Sequence, residues 1–498
     1  MQRPQRIRIK NESGKLQSLP DEKEYFQELG GSGDILFLGI GPNPDLLTEF
    51  FPDESCYYYI ECPEYEKQIP SLLTLPANFK KLQTNDATTV NKNNFRLILY
   101  TPNKRLFPSF WEPIISKLTL HKTEIHSKKQ SKSVWIPGDD NSLLVPEISK
   151  AFARADFTYR VIAPDAMRRN MLSLLKQELP AIVFSINFNG LDNSGETFFL
   201  LREAGVKVVV WMVDNPFHVI SGIKSAYWKE VPMLVTDDWF IKPLQDLGAT
   251  KIEHLPLATD PEIFNPNVPS YPGLANRIVF AGRSSFPKKV NFFAGCNFSP
   301  EDERDAIYAI DSGIKPNFEW WINRDKLTSL WPEPNVRDSG FRAEQTGTIW
   351  RTETLKFAGN NLTVFGDEGW RELLPKVDLR KPIDYYTILP AAYSNSAIVL
   401  NMTSPLLPNG LTQRNFDVWA AGGFLLTDKT PGLSIFPDEL VEECSFGTPS
   451  ELPQLCSKFL ADPQLRIELS KKWREIILKN HTYQNRIDNI LKFMDLKT

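Results

Sequence analysis

One stretch of the sequence decides the fold class: Arg414-Asn415-Phe416-Asp417-Val418-Trp419-Ala420-Ala421-Gly422-Gly423-Phe424-Leu425-Leu426-Thr427-Asp428. It predicts a short helix that opens with polar side chains and ends on a glycine pair, followed by a buried apolar strand and an acidic turn. A helix N-terminus that faces a cleft offers unpaired N–H groups and a positive dipole end to an anion. A carboxylate in the first turns accepts hydrogen bonds from a pair of sugar hydroxyls. The stretch therefore favours a site for a nucleoside diphosphate.

The length and composition indicate a globular protein of two or three domains. The chain has 498 residues, 42% of them hydrophobic and 24% charged, with a formal net charge of -4. That charge provides no field to attract nucleic acid. Five scattered cysteines form no Cys-x-x-Cys pair, which predicts reduced thiols and no metal site. The N-terminus lacks the apolar core of a signal peptide, and no window resembles a membrane helix, so we expect a cytoplasmic protein.

Apolar strands that alternate with helical patterns predict parallel α/β layers in three blocks. The first block, residues 1–145, contains strands at 34–38, 57–61 and 95–100 and ends in a predicted linker at 122–141, whose basic part at 122–132 we interpret as solvated. The second, 146–265, has strands at 159–163, 181–186, 206–213 and 232–236 and ends in a proline-rich linker. The third, 266–498, has strands at 277–282, 362–366, 397–401 and 424–427 and closes with an amphipathic C-terminal region.

Three loops of the third block carry chemistry at the carboxyl ends of strands, where open α/β sheets bind ligands. The first is Gly282-Arg283-Ser284-Ser285-Phe286-Pro287-Lys288-Lys289, where Arg283 and a lysine would neutralise a diphosphate, unless the loop is a surface turn. The second, Gly366-Asp367-Glu368-Gly369-Trp370, offers a tryptophan that either stacks on a base or holds the loop to the core. The third begins at Asn401 and leads into the helix at Arg414.

These motifs resemble those of GT-B glycosyltransferases, and more narrowly those of the CgeB-like, spore-maturation group of bacterial glycosyltransferases. The matching segments are 280–283, 364–370, 397–401 and 414–428, with weaker matches at 211–217 and 255–261. The resemblance covers about residues 150 to 490. It implies an α/β fold in which a GT-B-like pair of Rossmann-like domains (acceptor half 146–265, donor half 266–498) follows an additional N-terminal Rossmann-like α/β domain.

The resemblance also implies roles for individual residues. Asp417 would bind donor hydroxyls, and Arg283 with Lys288 or Lys289 would bind phosphate, with no metal or other cofactor required. The donor-site set comprises Gly282, Arg283, Lys288, Lys289, Gly366, Trp370, Asn401, Arg414, Asn415, Asp417, Gly422 and Gly423. The group usually carries glutamate where this chain has Asp417, so the carboxylate is one methylene shorter.

Asp214 and His218 are the candidate catalytic residues. Asp214 lies just past a predicted buried strand, and His218 follows one helical turn later. Acceptor activation requires a base within reach of the acceptor hydroxyl. Alternatively, Asp214 caps the helix that begins after Pro216.

The first block contains a second nucleotide-binding pattern. Gly39 and Gly41 follow a strand, and Glu61 ends the next one, in a pattern similar to the cofactor loop of S-adenosylmethionine-dependent methyltransferases. Asn43 replaces the third glycine of that pattern. The block is therefore either a second cofactor site or a degenerate accessory domain that positions the acceptor or mediates oligomerisation.

Together these observations predict a metal-independent hexosyltransferase of GT-B type. It would move a sugar from a nucleotide diphosphate donor to a protein or surface-glycan acceptor. The alternatives are a bifunctional protein whose N-terminal domain also methylates, and a non-catalytic protein that keeps the fold for binding or as a scaffold.

Overall fold

The computed structural model describes residues 6–52, 56–69, 75–83, 95–121, 123, 125 and 129–496. Its internal contacts divide the chain into two compact units. The first unit comprises Met1–Asp140, Thr158–Val210 and Gly222–Pro232, and the second comprises Asn141–Phe157, Trp211–Ser221 and Met233–Thr498. The residues predicted as a linker at 122–132 lie partly outside the described residues.

Short strands occur along the whole described chain. They are β1 (Arg8–Lys10), β2 (Leu16–Ser18), β3 (Phe26–Gly30), β4 (Asp34–Leu38), β5 (Tyr57–Ile60), β6 (Phe79–Lys81), β7 (Phe95–Tyr100), β8 (Ser131–Pro137), β9 (Thr158–Ile162), β10 (Pro180–Ile186), β11 (Lys207–Met212), β12 (Met233–Val235), β13 (Ile252–His254), β14 (Ile278–Ala281), β15 (Leu362–Phe365), β16 (Asp378–Arg380), β17 (Ile398–Asn401), β18 (Leu425–Asp428) and β19 (Ser445–Phe446).

Helices follow most of these strands. They are α1 (Asp45–Phe50), α2 (Pro63–Glu66), α3 (Asn103–Leu106), α4 (Pro108–His121), α5 (Val145–Arg154), α6 (Pro164–Gln177), α7 (Glu196–Glu203), α8 (Pro216–Ile220), α9 (Ile241–Asp246), α10 (Lys289–Phe292), α11 (Pro300–Asp311), α12 (Phe318–Arg324), α13 (Val336–Lys356), α14 (Trp370–Leu373), α15 (Leu389–Asn395), α16 (Arg414–Ala420), α17 (Asp438–Cys444), α18 (Leu452–Ala461), α19 (Pro463–Asn480) and α20 (Tyr483–Phe493).

The first unit contains a five-stranded sheet in the order β3-β7-β4-β5-β6. Strands β4, β5, β6 and β7 pair in parallel, whereas β3 runs antiparallel to β7. The central strand β4 is apolar and almost fully buried, as expected for a parallel strand covered on both faces. Strand β8 of the same unit pairs in parallel with β9 and β10.

The second unit is built on a six-stranded sheet in the order β16-β15-β14-β17-β18-β19, in which all pairs are parallel. The carboxyl ends of its strands therefore share one edge. The loops after β14, β15 and β17 leave the sheet at that edge, and a single large core packs against it. Strands β12 and β13 form a further parallel pair.

The predicted α/β fold with Rossmann-like parallel sheets is confirmed. The strands predicted around residues 34, 57, 95, 181, 277, 362, 397 and 424 are all present, with boundaries that differ by at most one residue at each end. The prediction of a linker over residues 122–141 was wrong for the second half of this range. Ser131–Pro137 is β8, whose Val134, Trp135 and Ile136 are fully buried.

The sequence reasoning also left residues 283–361 without elements. The structure places four helices there, α10 to α13, between β14 and β15. The longest, α13, contributes a partly buried arginine, Arg351, to the candidate site described next.

Candidate functional site

The loops after β14 and β15 approach each other closely beside Arg414. A side-chain carbon added at Gly282 would lie 3.1 Å from Arg414 Nη2. One added at Gly366 would lie 2.7 Å from the Gly282 carbonyl oxygen. A side chain at Gly366 would collide with backbone, whereas one at Gly282 would make a tight contact with the guanidinium of Arg414 and the ring of Phe280. The structure brings Gly282, Gly366 and Arg414 together, three of the residues predicted for the donor site.

Arg414 begins α16 and is held in place from two sides. Its Nη1 donates a hydrogen bond to Asn401 Oδ1 at 2.7 Å, and its guanidinium carbon lies 4.9 Å from the centre of the Phe280 ring. These contacts orient the guanidinium at the carboxyl ends of β14 and β17, next to the Gly282 loop.

Asn401 and Asn415 are buried and hydrogen-bonded to the protein itself. Asn401 Nδ2 donates to Asn415 Oδ1 at 3.1 Å and to Thr427 Oγ1 at 3.0 Å, while its Oδ1 accepts from Arg414 and Thr412. Asn415 Oδ1 also accepts from the Thr412 N–H at 2.9 Å. We therefore correct the assignment of both asparagines: they join β17, β18 and α16, and they position Arg414 rather than contact a donor.

Arg351 of α13 is a site residue that the sequence reasoning missed. Its Nη2 donates to the Ser284 carbonyl oxygen at 3.0 Å, within the loop after β14. Its Nε is buried and has no hydrogen-bond partner. Burial lowers the pKa of Arg351, and the positive charge of Arg414 lowers it further, against the attraction of Glu344. Two neighbouring guanidiniums and an unsatisfied donor are an arrangement that an anion would stabilise.

The three predicted basic residues of the loop differ in exposure. Arg283 and Lys288 are exposed at the surface of the second unit. Lys289 is half-buried, with its Nζ 2.5 Å from Gln345 Oε1 and 3.6 Å from Glu344 Oε1. Burial lowers the pKa of Lys289, and Arg351 acts in the same direction. Basic side chains thus surround the loop on both its inner and outer sides.

Trp370 does not present a face to a ligand. Its ring is fully buried, and its Nε1 donates to the Gly282 carbonyl oxygen at 2.9 Å. It packs edge-on against Phe280, with ring centres 5.7 Å apart. We therefore correct the assignment to the donor site: Trp370 holds the two glycine loops together from within the core.

Asp417 follows Arg414 by three residues and therefore lies on the same face of α16. The side chain is almost fully buried, and its Oδ2 accepts a hydrogen bond from the Tyr385 hydroxyl at 2.6 Å. Its Oδ1 is buried without a hydrogen-bond partner. Burial raises the pKa of Asp417 well above its ordinary value, although the Tyr385 hydroxyl opposes the rise. The carboxyl group therefore retains an acceptor for a hydroxyl group.

Further buried polar oxygens belong to the surroundings of Asp417. Glu147 of α5 accepts a hydrogen bond from the Tyr386 hydroxyl at 3.2 Å, and burial raises its pKa to about 7. Glu147 and Asp260 both raise the pKa of Asp417. Thr259 is close enough to lower that pKa, yet its hydroxyl is not aligned for a hydrogen bond. One side-chain oxygen is buried without a hydrogen-bond partner in each of four residues, Glu147, Thr259, Asp260 and Asp417. We call this group of residues the acidic chamber.

The glycine pair serves the end of α16. Gly422 has a φ of +76°, the left-handed conformation that ends many helices. A side-chain carbon at Gly423 would lie 2.5 Å from the Tyr393 carbonyl oxygen. Both glycines lie at the C-terminal, negative end of the helix, so we correct their place in the donor-site set and keep only the predicted role in chain reversal and packing.

The two candidate catalytic residues have different surroundings. Asp214 is exposed, and the helix α8 is capped by Asn215, whose Oδ1 accepts from the Phe217 N–H at 3.0 Å. His218 packs among aromatic rings, and its Nε2 faces Gly340 of α13. Burial lowers the pKa of His218 to about 3, with Arg337 contributing. This correction makes His218 a packing residue and leaves Asp214 as the accessible acid.

In the first unit, the loop with Gly39 and Gly41 is covered by the protein's own side chains. The Asn103 amide fills the space beside Gly39. Glu61 accepts N–H hydrogen bonds from Ile40 at 3.0 Å and from Cys62 at 2.9 Å. Burial raises the pKa of Glu61 to about 8. We therefore correct the cofactor assignment of these residues: the Glu61 carboxylate hydrogen-bonds to the backbone of the glycine loop and has a structural role.

No group of three or more potential metal ligands occurs among the described residues. No helix in the described part of the chain is long and apolar enough to cross a membrane.

The match to a family model decides the class of the C-terminal part. Residues 349–492 match the family described as Glycosyl transferase-like. This segment is a glycosyltransferase-type domain. It contains Arg351, Trp370, Tyr385, Arg414 and Asp417, and the match confirms the prediction of a glycosyltransferase enzyme for this part of the chain. A comparison with curated protein sequences finds no match.

Three solved structures show some similarity to this chain. A glycosyltransferase from Rickettsia africae ESF-5 has 11% sequence identity, with 80% of this chain and 94% of that chain covered and a TM-score of 0.43. Anabaena Alr3699/HepE in complex with UDP and glucose has 11% identity, with 73% of this chain and 99% of that chain covered and a TM-score of 0.41. T4 phage BGT in complex with UDP-glucose has 12% identity, with 74% of this chain and 100% of that chain covered and a TM-score of 0.41. All three TM-scores lie below 0.5, so the fold assignment stands on the parallel sheets themselves.

Proposed function

We propose that this protein is a glycosyltransferase that takes a sugar from a nucleoside diphosphate donor and transfers it to a hydroxyl group of a protein or surface glycan. The observation that carries the proposal is the arginine pair of Arg351 and Arg414 beside the glycine loop at Gly282. The sequence motifs at 280–283 and 414–428 support the further proposal that the protein is of the CgeB-like group.

The arginine pair supplies the charge that a diphosphate requires. Guanidinium groups form strong, directional hydrogen bonds to phosphate oxygens. Arg351 has an unsatisfied buried Nε, a Glu344 carboxylate oxygen 4.0 Å from its Nη2 and the positive charge of Arg414 nearby, so its guanidinium keeps a donor for a phosphate oxygen. A diphosphate bound beside the Gly282 loop would pair both charges, with Arg283 and Lys288 at the exposed side. Metal independence follows as part of the proposal, because the side chains provide the charge that a cation otherwise provides.

The carboxyl group of Asp417 fits the hydroxyl groups of the donor. It lies on the helix face that carries Arg414, and its Oδ1 is an unused acceptor. Tyr385 fixes the other oxygen at 2.6 Å. A donor whose phosphates meet Arg414 would thus place a ribose or sugar hydroxyl group within reach of Asp417.

In the transfer itself, the bond between the anomeric carbon and the diphosphate oxygen breaks, and a bond to the acceptor oxygen forms. The diphosphate leaves with its negative charge stabilised by Arg351 and Arg414. The acceptor hydroxyl loses its proton to a base, and we assign that role to Asp214, the exposed acid after β11.

The remaining parts of the proposal concern the organisation of the chain. Residues 266–498 would form the donor domain, 146–265 the acceptor domain, and 1–145 an accessory domain that offers a surface for oligomerisation. The protein would act in the cytoplasm. The Asn103 amide occupies the space beside Gly39, which argues against a methyltransferase activity of the accessory domain.

The test is a melting-temperature series of the purified protein with UDP, GDP, dTDP, CMP and S-adenosylmethionine. A single nucleoside diphosphate should stabilise the protein by about 2.7 kcal/mol at a hundredfold excess over its Kd. Stabilisation by S-adenosylmethionine alone would move the active centre to the first unit. A protein that responds to no nucleotide would instead be a binding or scaffold module.

A further inference from the structure

A second cavity, of about 320 Å³, lies in the first unit among helices α3, α4, α6 and α7. All eight residues that line it are polar or charged, and none is aromatic. The volume is at the lower end of the range for small-molecule sites. A cavity of this size and lining suits a small polar ligand, because it offers no aromatic ring on which a base could stack.

Glu112 of α4 provides an unused acceptor in this cavity. Glu112 lines the cavity, and only 1% of its surface is exposed to solvent. Its Oε1 lies 3.5 Å from Lys104 Nζ, whereas its Oε2 is buried and has no hydrogen-bond partner. A buried acceptor without a donor destabilises the protein, and a ligand that donates a hydrogen bond would relieve that cost. Burial raises the pKa of Glu112 to about 7, against the attraction of Lys104, and a donor that carries positive charge would favour the ionised carboxylate.

The opposite charge is available on the same cavity wall. Lys104 lies 3.5 Å from both Glu112 and Glu196, a distance too long for strong ion pairs, and Arg105 forms no salt bridge among the described residues. Arg168 also lines the cavity and pairs with Asp165. These basic side chains are suited to a carboxylate group.

Asp192 also lines the cavity, and its carboxylate oxygens already accept hydrogen bonds from the backbone. The Asp192 carboxylate accepts the N–H groups of Ser194, Gly195, Glu196 and Thr197 and so caps the N-terminus of α7. Glu112 therefore stays the one buried acid of the described lining that has an oxygen without a hydrogen-bond partner.

We propose that this cavity binds a small zwitterion of the α-amino acid class, with the ammonium group on Glu112 Oε2 and the carboxylate group on Arg105 and Arg168. A neutral sugar would leave the charges of both signs unmatched, and a simple anion would leave Glu112 unpaired. The site is separate from the arginine pair and the acidic chamber, because all its residues belong to the first unit.

The experiment measures binding to the full-length protein by calorimetry and melting temperature at millimolar concentrations. The probes are the natural α-amino acids, with N-acetylglycine, glycine amide, sodium acetate and glucose as matched compounds. At least one amino acid should bind, whereas its analogues that lack the ammonium or the carboxylate group should bind at least about tenfold more weakly.

Three variants locate the site. Glu112→Gln keeps the shape and removes the charge, and Arg105→Gln changes an exposed side chain that the fold does not need. Both should weaken amino acid binding at least about tenfold, whereas Glu49→Gln, an exposed acid of α1, should leave it unchanged. Binding that survives Glu112→Gln and Arg105→Gln, equal binding of acetate or glucose, or no binding of any amino acid would each overturn the proposal.

Discussion

The substitution Arg351→Gln separates the function of the arginine pair from its contribution to the fold. In the ligand-free protein, Arg351 donates hydrogen bonds to the Ser284 carbonyl oxygen and, at 3.5 Å, to Thr348 Oγ1, and it lies 4.0 Å from Glu344. Against these contacts, its Nε is unsatisfied and Arg414 repels it. These effects oppose each other, so the unfolding free energy should change by no more than about 1 kcal/mol. A charge-assisted hydrogen bond to a diphosphate is worth about 1.5–3 kcal/mol, or roughly 10- to 150-fold in Kd.

The assay is calorimetric titration with the nucleoside diphosphate that stabilises the wild type, next to urea denaturation of the same samples. Arg304→Gln is the matched control, because it removes an exposed arginine from helix α11 of the same unit. Affinity should fall in Arg351→Gln and remain within about twofold in the control. Unchanged affinity in Arg351→Gln would refute the assignment of the diphosphate to this pair, whatever the enzyme does elsewhere.

Four further substitutions follow from the same contacts. Asp417→Asn should abolish donor hydrolysis in a coupled assay without lowering the melting temperature, because it removes a buried charge and keeps the shape of the side chain. Trp370→Phe should lower the unfolding free energy in urea by about 1–3 kcal/mol, because the Gly282 carbonyl oxygen loses a buried donor. Gly422→Ala should cost about 1 kcal/mol, measured in the same way, because of its φ of +76°, with nucleotide affinity kept. The pKa of Glu147 is 4.5 when unperturbed and about 7 in the native chain, so between these values the native chain binds more protons than the unfolded one. Raising the pH from about 5 to 8 should therefore lower the unfolding free energy by up to about 3 kcal/mol through this group, and Glu147→Gln should remove that part of the pH dependence.

The motif at 414–428 was predictable because its signals are local. Polar residues that open a helix, a left-handed glycine after it and an apolar strand act within a few residues, and α16 and β18 form as expected. The meeting of the Gly282 and Gly366 loops followed from the rule that parallel strands end at one edge of the sheet.

The roles of individual side chains depended on contacts that are distant in the sequence. Trp370 is structural because its indole reaches Gly282, and Arg351 joins the site from an insertion whose helices showed no pattern that the sequence reasoning used. His218 lost its expected role because α13 packs onto its ring. The sequence showed that such residues were present but held no information on which atoms they would meet.

The aspartate at position 417 is matched by a partner that the motif does not contain. The CgeB-like group that the motif resembles usually has glutamate there, and a longer side chain would move the carboxylate by about one C–C bond, roughly 1.5 Å. The Tyr385 hydroxyl already lies 2.6 Å from Asp417 Oδ2, so a glutamate in the same direction would collide with it. Tyr385 thus occupies the space that the missing methylene leaves, and it fixes one oxygen while the other stays open. The shorter acid and the tyrosine form one unit, and a change of either requires a change of the other.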